Sequence, residues 1–122
     1  MIKYYVLDDS GEAVEATINE LYHWLGSGGF LAHMVYQSTF SGCGSSVVTF
    51  NRLSNTETGE LPFKVEFRIH PSDRHGQVVS SGPFAYFRHR KDAIAHAQAL
   101  TEKVGAAWKG IIDIIQQALP SV

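Results

Sequence analysis

Six histidines, one cysteine and a pair of adjacent carboxylates are the residues of this chain best suited to metal, nucleophilic or acid–base chemistry, and their spacing decides whether they can act together. His89 and His96 share one face of a helical segment but stand two turns apart, too far for both to hold one ion. His70 and His75 flank Asp73 in a polar stretch, a looser set of metal donors. Solvated histidines on a basic edge are the expected reading, and no metal site is assigned. Cys43 and Ser45 lie in a glycine-rich link with nothing to fix a histidine beside them, so no activated nucleophile forms on sequence grounds. Gly42-Cys43-Gly44-Ser45-Ser46 offers backbone N–H groups for an anion nest, but no Gly-Lys-Ser/Thr follows to make a phosphate loop. Asp8-Asp9 precedes Ser10-Gly11, where side-chain oxygens close turns. The expectation is a protein without catalytic residues and without a cofactor.

Charge is the next chemical signal. Residues 1–63 carry Lys3 and Arg52 against Asp8, Asp9, Glu12, Glu15, Glu20, Glu57 and Glu60, a balance of −5, whereas residues 64–91 reach +4. The candidate binding residues are therefore the cations Lys64, Arg68, Arg74, Arg88, Arg90 and Lys91. Arg88-His89-Arg90-Lys91 stands at the start of a helix, where the dipole disfavours positive charge. A cation held there has a use: it grips phosphate or an acidic partner, or it pairs with the acidic N-terminal half of its own chain.

The elements that must position these groups follow from periodicity. Ala93, Ala97, Leu100, Val104, Ala107, Ile111, Ile114 and Ala118 recur at steps of four and three, which places one apolar stripe on a helix from about Asp92 to Leu119. His89 or Asp92 serves as N-cap, and Pro120 ends the run. The second half is apolar off the stripe as well, so either the helix breaks at Gly105 or Gly110 or its end packs against something beyond its own domain. Ala107, Trp108, Ile111, Ile112, Ile115 and Leu119 are the candidate oligomer interface, within an oligomerisation segment 104–119.

Before that helix, Ile2–Leu7 reads as a strand entering the Asp8–Gly11 turn, with room for a brief return. Thr17 and Glu20 form a capping box for a short helix whose face is Ile18, Leu21, Tyr22 and Leu25, stopped by Gly26-Ser27-Gly28-Gly29. Phe30–Phe40 and Ser46–Leu53 read as a hairpin. Phe63, Val65, Phe67 and Ile69 alternate with Lys64, Glu66, Arg68 and His70, giving a strand with one core face and one wet, mostly basic face. Pro71–Pro83 reads as a loop, most mobile over Pro71–Gly82 and holding a short strand at Gln77–Ser80, and Phe84–Phe87 as a last strand.

The sum is an α+β class, an antiparallel sheet of four to five strands in the order β-α-β-β-β-β-α, with 1–122 as a single domain. No apolar run is long enough to span a bilayer, the N-terminus lacks a secretion pattern, and a single cysteine cannot form an internal disulfide; no membrane contact and a cytoplasmic location are expected.

Two resemblances bear on function. Ser46-Val47-Val48-Thr49-Phe50, Thr58-Gly59-Glu60-Leu61-Pro62, Phe63-Lys64-Val65-Glu66-Phe67, Tyr86 and Ala93-Ile94-Ala95-His96 resemble, in order and type, small phage and prophage proteins of unknown function. That resemblance implies a mobile-element setting. Phe63-Lys64-Val65-Glu66-Phe67-Arg68 followed by Arg90-Lys91-Asp92-Ala93 is similar to the third strand and last helix of double-stranded-RNA-binding domains, although Ile94 stands where that module carries a further lysine. The expectation is a small non-enzymatic protein–protein interaction module, a phage or prophage accessory protein that inhibits or modulates a host protein, with a homodimer through the final helix. The alternative is a nucleic-acid-binding module using the basic 64–91 segment.

Overall fold

The structure is a computed structural model that describes residues 1–40, 44–69 and 79–118. Seven strands and two helices follow one another as β1 (Ile2–Leu7), β2 (Ala13–Ala16), α1 (Ile18–Gly26), β3 (Ala32–Phe40), β4 (Gly44–Asn51), β5 (Leu53–Asn55), β6 (Phe63–Ile69), β7 (Val79–Phe87) and α2 (Arg90–Ala118). The class is α+β as expected, but the strands form two antiparallel sheets, ordered β2-β1-β5 and β3-β4-β6-β7. Two short strands account for the difference. β2 is the return from the Asp8 turn, long enough to pair Ala13–Ala16 with Leu7–Tyr4. β5 arises because the expected strand Ser46–Leu53 is interrupted at Arg52, which passes the chain from one sheet to the other. The Arg52 N–H donates to the Leu31 carbonyl (2.9 Å), while the Arg52 carbonyl accepts from the Tyr5 N–H (2.8 Å).

The first turn rests on one carboxylate. Asp8 Oδ1 accepts from the Ser10 N–H (2.9 Å), the Ser10 hydroxyl (2.6 Å) and the Glu12 N–H (2.9 Å), and Gly11 supplies the positive φ of 84° that the turn requires. α1 begins at the expected cap, with the Glu20 N–H donating to Thr17 Oγ1 at 3.2 Å. Its expected apolar face is only partly covered: Leu21 is buried, whereas Ile18, Tyr22 and Leu25 are exposed.

The four-stranded sheet makes the core. Alternation along β4 and β6 sets Val48, Phe50, Phe63 and Val65 on one face, where they meet Ala93 and Ala97 of α2 and Tyr5 and Ala13 of the smaller sheet. Phe67 is buried on this side too. Alanines at the closest approach let the helix lie low on the sheet. Leu100 packs at the margin, and Val104, expected to join this contact, is half-buried outside the cluster. Thr101 takes that place on the sequence's inner stripe, its hydroxyl donating to Ser46 Oγ (2.8 Å) and facing the Ser38 carbonyl (3.2 Å).

The opposite face of the sheet departs from the wet, basic face that alternation predicts. Glu66 is 5% exposed there, beside fully buried Val47 and Ser45. β4 is an interior strand with neighbours on both sides, and Gln37 of β3 reaches over it, its Nε2 donating to Ser45 Oγ at 3.1 Å. Arg68 Nη2 meets Glu66 Oε1 at 2.8 Å, which neutralises the carboxylate as it is desolvated.

β7 also corrects an expectation, since Val79–Phe87 is one strand rather than a loop followed by a short aromatic strand. An irregularity where Val65 pairs Ala85 and Phe67 pairs Ser81 absorbs the extra residues, and Pro83 is tolerated because β7 is an edge strand. Residues 70–78, with Arg74, His70, His75 and most of the segment expected to be mobile, and the hairpin link containing Cys43 lie outside the described residues. Gly44, Ser45 and Ser46 belong to β4, so that half of the expected anion nest is extended strand.

Candidate functional site

α2 starts where the sequence places it. The Ala93 N–H donates to the His89 carbonyl at 3.2 Å, so His89 occupies the capping position. The helix then runs unbroken for 29 residues, through Gly105 and Gly110, a length of about 43 Å at 1.5 Å per residue. Its first three turns, through Thr101, lie on the sheet. The α2 residues that join or line the core end at Leu100, and the helix continues to Ala118.

Of the apolar residues expected in that distal half, those whose side chains are described are exposed. Ala107 and Ala118 are exposed, Trp108 is 44% exposed, Ile115 51% and Ile114 67%. Ile111 and Ile112 belong to the same helical stretch by their backbone, and Leu119 lies outside the described residues. Exposed apolar residues are ordinary when scattered, but these recur on adjacent turns of one helix.

The candidate basic residues divide into two groups. Lys64 and Arg68 alternate with the core residues of β6 and so point away from α2. The Lys64 ammonium sits 4.7 Å from the Phe84 ring centroid and borders a shallow cleft of about 180 Å³ with Thr49, Asn51, Glu60 and Tyr86. Burial, helped by nearby Glu60, raises the Tyr86 phenol above its ordinary pKa.

Arg88 and Arg90 stand on the other side, against the N-terminal hairpin. Arg88 Nη1 donates to the Ala13 carbonyl (2.8 Å) and its guanidinium lies 5.0 Å from the Tyr5 ring centroid. His89 Nδ1 approaches Glu12 Oε2 at 3.7 Å, and the Arg90 side chain fills the space beside Gly11. Nearby, the Lys3 ammonium meets Glu15 Oε1 at 2.8 Å; this contact raises the pKa of the lysine and lowers that of the glutamate. These cations meet the acidic N-terminal half of their own chain. Lys91 is exposed, and Arg74 lies outside the described residues.

One group escaped the reading of the sequence. Arg52 is 6% exposed, with its guanidinium 5.1 Å from the Trp24 ring and 5.6 Å from the Phe50 ring, and its Nε donates to the Phe30 carbonyl at 2.8 Å. Desolvation lowers its pKa, and Nη1 is buried without a partner among the described residues. A lone arginine between two strand-forming runs gives no sign of burial, because Trp24 and the Phe30 carbonyl come to it from a distant part of the chain. Trp24, Phe30 and Leu31, which adjoin it, are themselves exposed.

Among the described residues no group of three or more His, Cys, Asp or Glu is placed to hold a metal ion, and no helix is long and apolar enough to cross a membrane. No protein family, characterised protein or solved structure matches this chain.

Proposed function

We propose that this chain is a small protein–protein interaction module whose docking element is the distal half of α2. The observation that carries the reading is the exposure of Trp108, Ile114 and Ile115 on a helix that has run past its own sheet. Burying large apolar side chains contributes about 1.5–3 kcal/mol each, so a protein partner seated there gains from each of them. A second copy of the chain is the first such partner, giving a homodimer. In the mobile-element setting implied by the resemblance to phage and prophage proteins, the module serves to bind and modulate a host protein. The alternative of nucleic-acid binding draws less support, since Lys64 and Arg68 point away from α2 while Arg88 and Arg90 lie against residues 5–13.

The test is sedimentation of the intact chain beside a Trp108→Glu/Ile115→Glu variant. The wild type is expected to sediment as a dimer at micromolar concentration, and the variant as a folded monomer with an unchanged circular dichroism spectrum. Equal masses for the two proteins at every concentration would remove the distal helix from the interface.

A further inference from the structure

Among the described arginines only Arg52 is buried. A guanidinium keeps its proton in a protein, so a buried one needs compensation for its charge and acceptors for its N–H groups. Among the described residues Arg52 has no carboxylate partner. Trp24 and Phe50 supply part of the compensation, with ring centroids 5.1 and 5.6 Å from the guanidinium carbon. A ring attracts the charge but is a poor hydrogen-bond acceptor. Nε has the Phe30 carbonyl at 2.8 Å, whereas Nη1 is buried with no acceptor among the described residues. Ser54 Oγ, two residues along the chain, is buried without a partner among them as well. An unpaired N–H of a charged group is among the costliest groups to bury, so an acceptor that reaches Nη1 is held firmly.

The surroundings say which acceptor. Trp24, Phe30 and Leu31 adjoin Arg52 and are exposed, so the wall between the guanidinium and solvent is made of side chains that are themselves partly in water. Trp24 lies outside the core cluster and is carried by α1, a nine-residue helix whose one buried residue is Leu21. A helix so short and so lightly anchored lets the ring move aside without disturbing the core. One unpartnered N–H beside apolar side chains suits a carboxylate with an apolar body. Phosphate, with more charge and more oxygens to satisfy, is ill matched to a lone cation in the acidic half of the chain. We propose that Arg52 anchors a binding site for a carboxylate carried on an apolar group, the carboxylate accepting from Nη1 and the apolar group lying against Trp24, Phe30 and Leu31. This site uses no residue of α2, so it stands or falls separately from the interface proposed there. A small free acid and the C-terminal end of a peptide share its chemistry.

The chain has two tryptophans, Trp24 beside Arg52 and Trp108 on the distal helix, so isotopic nitrogen labelling of the full chain gives two indole N–H signals. Trp24→Phe identifies the first. Titration with sodium butyrate at constant ionic strength is expected to shift the Trp24 signal along a saturating curve and to leave the Trp108 signal in place. N-acetyl-leucine presents its carboxylate as a peptide end does; tighter binding than butyrate would assign a peptide end, and weaker binding a small acid. Butyramide, nearly the same shape without the charge, is expected to shift neither signal. Arg52→Gln is expected to lose about tenfold or more in butyrate affinity. The butyramide comparison needs no change at Arg52, so it decides the matter where that variant does not fold. Equal responses to butyrate and butyramide, a Trp24 signal that butyrate never saturates, or full affinity in folded Arg52→Gln would overturn the proposal.

Discussion

Single side chains set the local geometry here, and two of them make separable claims. Asp8 holds the first turn through three hydrogen bonds to Oδ1, and the Ser10 hydroxyl, then the backbone N–H of Glu12, keep its carboxyl below the ordinary aspartate pKa. A folded-state pKa depressed in this way stabilises the fold above the unfolded value and ceases to do so as pH falls through the folded value. Asp8→Ala is therefore expected to be less stable than the wild type at neutral pH, with the difference in denaturation midpoint closing as the solution is acidified below the ordinary aspartate range. A gap that stays constant into acid would mean the turn does not depend on the charged form. Thr101 makes the second claim, since its buried hydroxyl ties α2 to Ser46 and the Ser38 carbonyl. Thr101→Val leaves the Ser46 hydroxyl short of a partner and is expected to cost about 1–3 kcal/mol in urea unfolding. A neutral result would show that water replaces the bond.

Among the elements, β6 and α2 meet in the core, with Phe63 and Val65 on one and Ala93 and Ala97 on the other. Phe67→Ala is expected to destabilise the chain by about 3–5 kcal/mol, because Phe67 is buried on the core side of β6. A loss below about 1 kcal/mol would be incompatible with that burial. Both elements were legible in the sequence for the same reason: Phe63, Val65 and Phe67 repeat every second residue and Ala93, Ala97 and Leu100 follow helical spacing, so period alone names the buried face. The Thr17 cap and the Asp8 turn were legible because their chemistry is confined to four or five residues. What was not legible depends on partners remote in sequence. Arg52 bends the chain between sheets by pairing with Leu31 and Tyr5, and Glu66 is buried because of what adjoins it rather than because of its own type. The division of the basic residues between two faces has the same origin. Net charge by segment registers composition, but the face on which each cation lands is decided by strand parity and by the docking of the N-terminal hairpin.

For the whole molecule the question is what the free half of α2 does. A helix of about 15 residues with no packing is marginal in water, so residues 104–118 would fray if left alone. Held against a second copy, their amides are shielded by the same contacts that bury Trp108 and Ile115. The most direct measurement is hydrogen–deuterium exchange of this segment in the intact chain across a range of protein concentration. The interface predicts protection of residues 104–118 that rises with concentration while residues 93–101, packed on the sheet, stay protected throughout. Protection of 104–118 that is the same at the lowest and highest concentrations would contradict it and place the covering of these apolar turns within a single chain.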